Sequence, residues 1–258
     1  MSIRCFRLLL LCAHIARGLF LVRFVYPRRT HRAQRMMLRR WSRQLLGILR
    51  IRRHRGRGGD AVPNSCIIVA NHVSWLDIFV INACFPARFV AKAEIRRWPA
   101  IGRLCVSTGT LFIERVKRRD AHRINEKIAG ALAEGDRVAL FPEGTTTHGD
   151  MVRPFHANLL QAAVVGAAPV QPVALRYLQA DGSLCRAASY VGDQSLIACV
   201  LAILAQPVIV AEVMVLAALP HDGQTRRDLA RATEAAIAGR LGLPVAHRSS
   251  ARPRDPQA

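Results

Sequence analysis

Short apolar runs alternate with helix-length segments from residue 66 onward, and this alternation restricts the fold more than any other feature. The runs have the length of strands, and the first and the last are rich in β-branched residues: 66–70, 88–91, 111–113, 137–141, 170–177 and 208–215. Helical segments lie between and after them: 75–84, 120–134, 155–165, the stretch after residue 194, and 225–242. Strands that alternate with helices build a mostly parallel sheet. The sequence therefore predicts an α/β fold: a single domain with a mostly parallel central sheet flanked by helices.

The apolar run 194–219 is long enough to be mistaken for a membrane-spanning helix. Pro207 divides this run and Glu212 interrupts its second half, so we predict a buried helix followed by a strand. Thr225 and Asp228 have the spacing of a capping box, which predicts the start of a last helix.

The positive charge is concentrated at the N-terminal end. The net charge is +21, and residues 1–59 contain 16 arginines and no Asp or Glu. A block of this kind indicates an anionic partner surface, either a membrane or a nucleic acid. The glycine-rich stretch 55–59 would separate this block from the rest of the chain. We predict a basic, membrane-associated helical segment at 1–59, a globular body at 60–245 and a disordered tail at 246–258.

Two parts of the basic segment are candidates for contact with lipid. The first is residues 33–49, in which four apolar residues recur at helical spacing: Met37, Trp41, Leu45 and Ile48. With arginines between them, residues 33–49 predict an amphipathic helix in the headgroup layer, and an ordinary domain helix is the alternative. Residues 8–26 are apolar but interrupted by one histidine and two arginines. These interruptions make them a poor candidate for a spanning helix, and the arginine-rich block that follows argues against an exported signal peptide.

The seven cysteines form no C-x-x-C pair and no group with zinc spacing. We expect them to be reduced, mostly buried, small hydrophobic residues, and we expect no metal site. A catalytic cysteine is the alternative, but none of the seven stands in a motif with a base.

The first polar constellation follows the strand at 66–70. Asn71, His72, Ser74 and Asp77 stand where a strand ends and a helix begins, which is the edge at which α/β sheets bind ligands. Asp77 can reach one imidazole nitrogen of His72, fix the tautomer and make the other nitrogen a better general base. The alternative is a capped helix with Ser74 as N-cap, in which His72 has no role.

The second constellation follows the strand at 137–141. Glu143 and Gly144 combine a hydrogen-bond acceptor with a backbone that a ligand can approach closely. Thr145 and Thr146 add hydroxyl groups, and Arg153 adds a charge. An ordinary strand-to-helix turn is the alternative, because Pro, Gly and Thr are common turn residues.

The third constellation, residues 109–115, ends on an arginine. Arg115 directly follows a strand, so its fork of donors could bind a phosphate in the same cleft. The alternative is a solvated or paired surface arginine.

Taken together and in this order, the constellations resemble the motifs of the glycerophospholipid acyltransferases, a family typified by 1-acyl-glycerol-3-phosphate acyltransferase. The family motif N-H-x4-D is matched by Asn71, His72 and Asp77. G-x-x-F-I-x-R is matched by Gly109, Phe112, Ile113 and Arg115, and F-P-E-G-T is matched by residues 141–145. A proline-bearing strand at 170–173 and the stretch 90–102 are also similar to the family. The resemblance covers roughly residues 66–178.

The resemblance implies an O-acyltransferase that forms no acyl-enzyme. His72 would take the proton of the acceptor hydroxyl, and Asp77 would orient His72. Other residues would position a lysolipid and its phosphate: Asn71, Ser74, Lys92, Gly109, Phe112, Arg115, Glu143, Gly144, Thr145, Thr146 and Arg153. The acyl donor would be a thioester, either acyl-CoA or acyl carrier protein, with no cofactor and no metal.

Thr146 departs from the family pattern, which usually has arginine there, linked to the acceptor phosphate. Either Arg153 replaces that charge, or the acceptor lacks a phosphate. The run 141–155 also resembles a bacterial subgroup that includes lyso-ornithine lipid acyltransferases. We expect 1-acyl-glycerol 3-phosphate as the acceptor, converted to phosphatidic acid in phospholipid biosynthesis, with lyso-ornithine lipid as the alternative.

The expected partners are a lysolipid substrate, an anionic membrane surface at the cytoplasmic face of the bacterial inner membrane and, as a candidate, acyl carrier protein. Nucleic-acid binding is disfavoured, because the arginine-rich segment has no recognised nucleic-acid motif and its helix carries a continuous apolar stripe.

Overall fold

The computed structural model describes residues 3–56, 61–113, 118–166, 168–220 and 222–246. Its strands form one seven-stranded sheet in the order β1-β7-β6-β2-β5-β3-β4. The strands are β1 (Ile51–Arg55), β2 (Ile67–Ala70), β3 (Arg88–Lys92), β4 (Leu111–Ile113), β5 (Val138–Leu140), β6 (Val170–Leu178) and β7 (Ile209–Val215). All neighbouring strands are parallel except β6 and β7. The predicted α/β fold with a mostly parallel sheet is confirmed.

Helices cover both faces of this sheet. They are α1 (Ile3–Phe24), α2 (His31–Ile48), α3 (Leu76–Cys84), α4 (Ile101–Ser107), α5 (Arg118–Ala133), α6 (Gln161–Val165), α7 (Leu196–Ala205) and α8 (Arg226–Leu241). The capping box of Thr225 and Asp228 is present at the start of α8. Helix α5 begins two residues before the predicted N-cap Asp120. Only the short α6 and a 3-10 turn form where a helix over 155–165 was predicted.

The core consists of two apolar layers that the sheet separates. Helices α1, α2, α3 and α7 contribute to the layer that contains Ile68 and Ala139, and helices α5, α6 and α8 contribute to the layer that contains Val69 and Leu140. Strand β2 lies between both layers, and all four of its residues are fully buried. A strand covered on both faces needs apolar residues at every position, which explains the unbroken apolar run in the sequence.

Helix α2 is amphipathic, as predicted, but its apolar face packs on the domain. Leu45 and Leu46 are buried in the core, and the Trp41 ring lies 5.7 Å from the Phe79 ring of α3. The expectation that this face lies in a headgroup layer is therefore wrong, and the alternative of a domain helix is correct. The apolar stripe has a protein partner, because α3 supplies a matching surface along it.

The sheet begins earlier than the sequence indicated. Strand β1 lies inside the range 1–59 and pairs in parallel with β7, with Ile51 opposite Ile209. An edge strand can carry exposed arginines, as Arg52 and Arg53 do, because one of its sides faces solvent. The basic segment is thus continuous with the sheet up to residue 55. Residues 247–258 of the predicted tail lie outside the described residues.

Helix α1 is long and apolar enough to cross a membrane, by length and composition. Of the polar residues that counted against this run, His14 contacts the domain instead, and so does Arg7, just before the run. Arg7 is buried and donates to the carbonyl oxygens at the C-terminal ends of α2 and α7, and His14 stacks on Trp41. The opposite side of α1 exposes large apolar residues, among them Phe6, Leu9 and Phe20.

Candidate active site

Three parallel strands, β2, β3 and β5, end at the same edge of the sheet. The loops after β2 and β5 carry His72 and Glu143, and Lys92 is the last residue of β3. The two loops are bonded to each other. The His72 amide donates to Glu143 Oε1 at 2.6 Å, and the Thr147 amide donates to the His72 carbonyl oxygen at 2.9 Å. The first and second constellations of the sequence therefore form one site.

His72 is oriented by a buried carboxylate. Its Nδ1 lies 2.7 Å from Asp77 Oδ2, and that oxygen also accepts from the amides of Val73 at 2.8 Å and Ser74 at 3.0 Å. Asp77 Oδ1 accepts from the Tyr177 hydroxyl at 2.6 Å. Because an ionised carboxylate only accepts hydrogen bonds, Nδ1 carries the proton of this bond. Nε2 is then the imidazole nitrogen left for a substrate.

These contacts decide between the two interpretations of the first constellation. Ser74 does not cap α3: the N-cap position is Trp75, which makes no side-chain cap bond. Asp77 is fully buried in the first turn of α3 and binds the imidazole. Its four hydrogen bonds offset the cost of removing its charge from water.

Glu143 holds two loops together. It is 3% exposed, and its Oε2 accepts from the Arg153 amide at 2.9 Å while its Oε1 accepts from His72. Burial raises the pKa of Glu143 to about 7, against the lowering effect of the two amide bonds. The charge of Asp77 raises this pKa further, and the charge of Arg153 lowers it. Glu143 was predicted to bind substrate, but both of its oxygens bind backbone amides of the protein.

Aromatic packing fixes the plane of the imidazole ring. The Phe141 ring stacks on His72 with centroids 4.1 Å apart and planes 11° apart, and Phe89 lies behind Phe141 at 5.9 Å. Gly144, in the loop after β5, has a φ of 70°, a left-handed conformation that favours glycine. The side chain of His72 remains 20% exposed, so a substrate can reach the ring.

Two residues predicted to bind substrate lie in the interior. The Asn71 side chain accepts from the Leu175 amide at 2.8 Å and donates to the Leu175 carbonyl oxygen at 2.9 Å. Asn71 thus joins β2 to β6 and has no free amide group for a lysolipid. Ser74 is fully buried, so its hydroxyl is closed to substrate.

The remaining predicted polar residues of this site differ in their exposure to solvent. Lys92, Thr145 and Arg153 are exposed near this edge, where they can meet a ligand. The Thr146 hydroxyl donates to the carbonyl oxygen of Tyr190, so it anchors its own loop.

The third constellation is only partly described. Gly109 precedes β4 and therefore lies at the opposite edge of the sheet from His72, where a Cβ would come within 3.3 Å of the Arg88 side chain. Its prediction as a substrate contact is wrong, because it turns the chain into the strand. Phe112 lies within β4, opposite Ala91. Arg115 lies outside the described residues.

Tyr177 is the site residue that the sequence did not indicate. It is 1% exposed in β6, and burial, followed by the charge of Asp77, raises its pKa well above the ordinary range. Tyr177 is separated from Asp77 by 100 positions. No local spacing in the sequence connects the two residues.

A group of potential metal ligands, His31, Glu134 and Asp136, lies away from His72. The Asp136 carboxylate pairs with Arg35 at 3.0 Å and with Arg88 at 2.6 Å. Guanidinium groups thus already balance its charge.

The chain is similar to proteins of known family. A family model described as Acyltransferase matches residues 50–176. A 1-acyl-sn-glycerol-3-phosphate acyltransferase of Neisseria meningitidis is 42% identical over 149 residues, and the match spans 58% of each chain. A lyso-ornithine lipid O-acyltransferase of Pseudomonas aeruginosa is 38% identical over 185 residues, which cover 72% of this chain and 70% of that protein.

The fold is also similar to that of a solved structure. The 1-acyl-sn-glycerophosphate acyltransferase PlsC from Thermotoga maritima is 19% identical with a TM-score of 0.65, and the match covers 93% of this chain and 96% of that one. Together with the sequence matches, the shared motifs and the geometry around His72, this places the chain in the acyltransferase family.

Proposed function

We propose that this protein transfers a fatty-acyl group from a thioester to the free hydroxyl of a lysolipid, with His72 as the general base. The observation that carries this proposal is the hydrogen-bonded series of His72, Asp77 and Tyr177 at the edge of the sheet. It occupies Nδ1 and leaves Nε2 for the acceptor hydroxyl. The arrangement has the base and orienting acid of a hydrolase triad, and the substrate supplies the hydroxyl.

The proposed reaction balances without another reactant. The acceptor oxygen attacks the thioester carbonyl carbon as its proton passes to His72 Nε2. The carbon–sulfur bond then breaks, and the departing thiolate takes the proton from the imidazolium. The products are an ester and a free thiol. Because a thioester is already activated, the reaction needs no metal and no cofactor.

For the acceptor we propose 1-acyl-glycerol 3-phosphate, with acyl-CoA or acyl carrier protein as the donor. The exposed cations Lys92 and Arg153 stand near the edge that carries His72 and suit a phosphate. The Neisseria meningitidis relative carries the name of this activity. The product would be phosphatidic acid for phospholipid biosynthesis.

Lyso-ornithine lipid is the second candidate acceptor, and Thr146 supports it. This residue replaces the arginine of the family motif, and its hydroxyl binds Tyr190. The second constellation therefore offers no charge at the family's phosphate position. The Pseudomonas aeruginosa relative carries the name of this second activity.

We further propose that the protein works at the cytoplasmic face of the bacterial inner membrane. The apolar outer side of α1 and the arginines of the basic segment support a contact with an anionic membrane. The arginine-rich residues serve the lipid surface in this proposal, and nucleic acid is not a partner.

The proposal is tested with purified protein and a panel of substrates. Acyl-CoA and acyl carrier protein would each be offered with 1-acyl-glycerol 3-phosphate and with lyso-ornithine lipid, and the lipid products would be separated. Preferential acylation of the phosphate-bearing acceptor would support the first candidate. Preference for lyso-ornithine lipid would support the second, and no ester product from any pair would refute acyl transfer to lysolipids.

The Lys92→Gln variant tests whether Lys92 binds the phosphate of the acceptor. For a phosphate-bearing acceptor it should raise KM by roughly tenfold, the value of one charge-assisted hydrogen bond. For lyso-ornithine lipid, whose only anionic group is a carboxylate, the same substitution should raise KM less. Arg97→Gln, an exposed cation beyond β3, is the matched control.

A further inference from the structure

Three arginine side chains converge on one backbone oxygen at the C-terminal end of α3. Arg39 Nε, Arg43 Nε and Arg53 Nη1 donate to the Ala83 carbonyl oxygen at 3.3, 3.0 and 3.2 Å. We call these three residues the arginine triad. The last carbonyls of a helix lack partners and carry partial negative charge, so a guanidinium there is favourable. One carbonyl oxygen has two lone pairs, however, and the third arginine exceeds what it can accept.

The arginine triad has no carboxylate partner among the residues that the structure describes. Arg35 and Arg88, by contrast, both pair with Asp136. Arg39 and Arg43 stand four positions apart on α2, where like charges repel each other. Arg53 adds a third charge from β1. Helix capping explains one of these cations and leaves the accumulation of positive charge without a counter-charge.

The arginine triad lies far from the reacting residues. Helix α3 begins beside His72 and runs back along the sheet, so its C-terminal end meets the start of β3 at the opposite edge. The bond from the Ala87 amide to Asn82 Oδ1 fixes this end. A ligand bound there would not compete with an acceptor at His72.

We propose that the arginine triad binds a phosphate group. Guanidinium forks match the oxygens of a phosphate, and several arginines around one centre are typical of such sites. A lipid headgroup or free phosphate could supply this group. The proposal does not depend on acyl transfer at His72, because it concerns binding at the other edge of the sheet.

The test uses the full chain and two probes. The first is inorganic phosphate, added in exchange for chloride at constant ionic strength, with thermal unfolding as the readout. The second is a vesicle of phosphatidylcholine, with or without phosphatidylglycerol, read by co-sedimentation. The variant replaces all three residues of the arginine triad with glutamine. A control variant removes the same charge from three exposed arginines: Arg40, Arg52 and Arg97.

We expect the triad variant to lose at least tenfold in binding of one probe, while the control variant keeps the wild-type value. Loss of the phosphate effect alone identifies free phosphate as the ligand, and loss of vesicle binding alone identifies a lipid headgroup. Equal losses in both variants would show general surface attraction and overturn the proposal. A wild-type protein that responds to neither probe would overturn it as well.

A single substitution keeps the test valid where the triple variant fails to fold. Arg43→Lys retains the charge but loses the planar fork, so it should weaken binding of the responding probe about threefold or more. Arg40→Lys, on the exposed side of the same helix, is its control. Equal binding by the two lysine variants would contradict a phosphate site at the arginine triad.

Discussion

The carboxyl group of Glu143 should make the stability of the fold depend on pH in the neutral range. Burial raises its pKa from the ordinary 4.5 to about 7 in the folded protein. The folded state therefore binds this proton more tightly than the unfolded chain does. The resulting contribution to the free energy of unfolding is fully present below pH 4.5 and is lost as the pH rises through 7.

The magnitude follows from these two pKa values. Proton linkage predicts that the contribution of Glu143 falls by about 2.5 kcal/mol between pH 5 and pH 8. Glu143→Gln cannot titrate, so the difference in unfolding free energy between wild type and variant isolates this contribution. The difference should shift by that amount in favour of the variant as the pH rises.

The assay is urea denaturation of both proteins at a series of pH values from 5 to 8. Glu94→Gln, which removes an exposed carboxyl group, controls for the loss of a surface charge. A difference between wild type and Glu143→Gln that stays constant within roughly 0.5 kcal/mol over this range would refute the reasoning, since it implies no shift of the Glu143 pKa on folding.

Three further substitutions, each measured by urea denaturation, test the residues that hold the site in place. Tyr177→Phe leaves Asp77 Oδ1 without its donor and should lower the free energy of unfolding by about 2 kcal/mol, and kcat should fall more than KM rises. A free energy of unfolding unchanged within error would contradict this bond. Gly144→Ala places a Cβ at a φ of 70° and should cost about 1 kcal/mol, whereas Gly239→Ala in α8 should not destabilise the fold. Asn71→Ala should lower the free energy of unfolding by about 2–3 kcal/mol, because both Leu175 backbone groups lose their partner. A loss below about 0.5 kcal/mol would contradict a stabilising role for these two bonds.

Much of the fold could be predicted because its signals are local. Buried strands such as β2 and β5 are continuous apolar runs, and the capping box at Thr225 marks a helix start within four residues. The pairing of His72 with Asp77 was also predictable, since five positions separate them across one strand-to-helix turn. The same sequence also fitted a capped helix in which His72 has no role. Only the side-chain contact between Asp77 and His72 excludes that alternative.

The features that escaped prediction depend on contacts between distant segments. Strand β1 has the composition of a solvated loop and becomes a strand only because β7 offers a free edge. The apolar stripe of α2 looks the same whether a membrane or α3 covers it. Tyr177 reaches Asp77 through the order of strands in the sheet, which no short motif encodes.

The role of His72 as general base is the central claim, and the rate of ester formation by His72→Ala tests it most directly. The rate would be measured with the acceptor that wild type prefers, beside His54→Ala, an exposed histidine on β1. General-base catalysis predicts a loss of about 10²- to 10⁴-fold for His72→Ala and almost none for His54→Ala. A folded His72→Ala protein that keeps more than about half of the wild-type rate would contradict the account, because a general base of this kind supplies at least about a hundredfold.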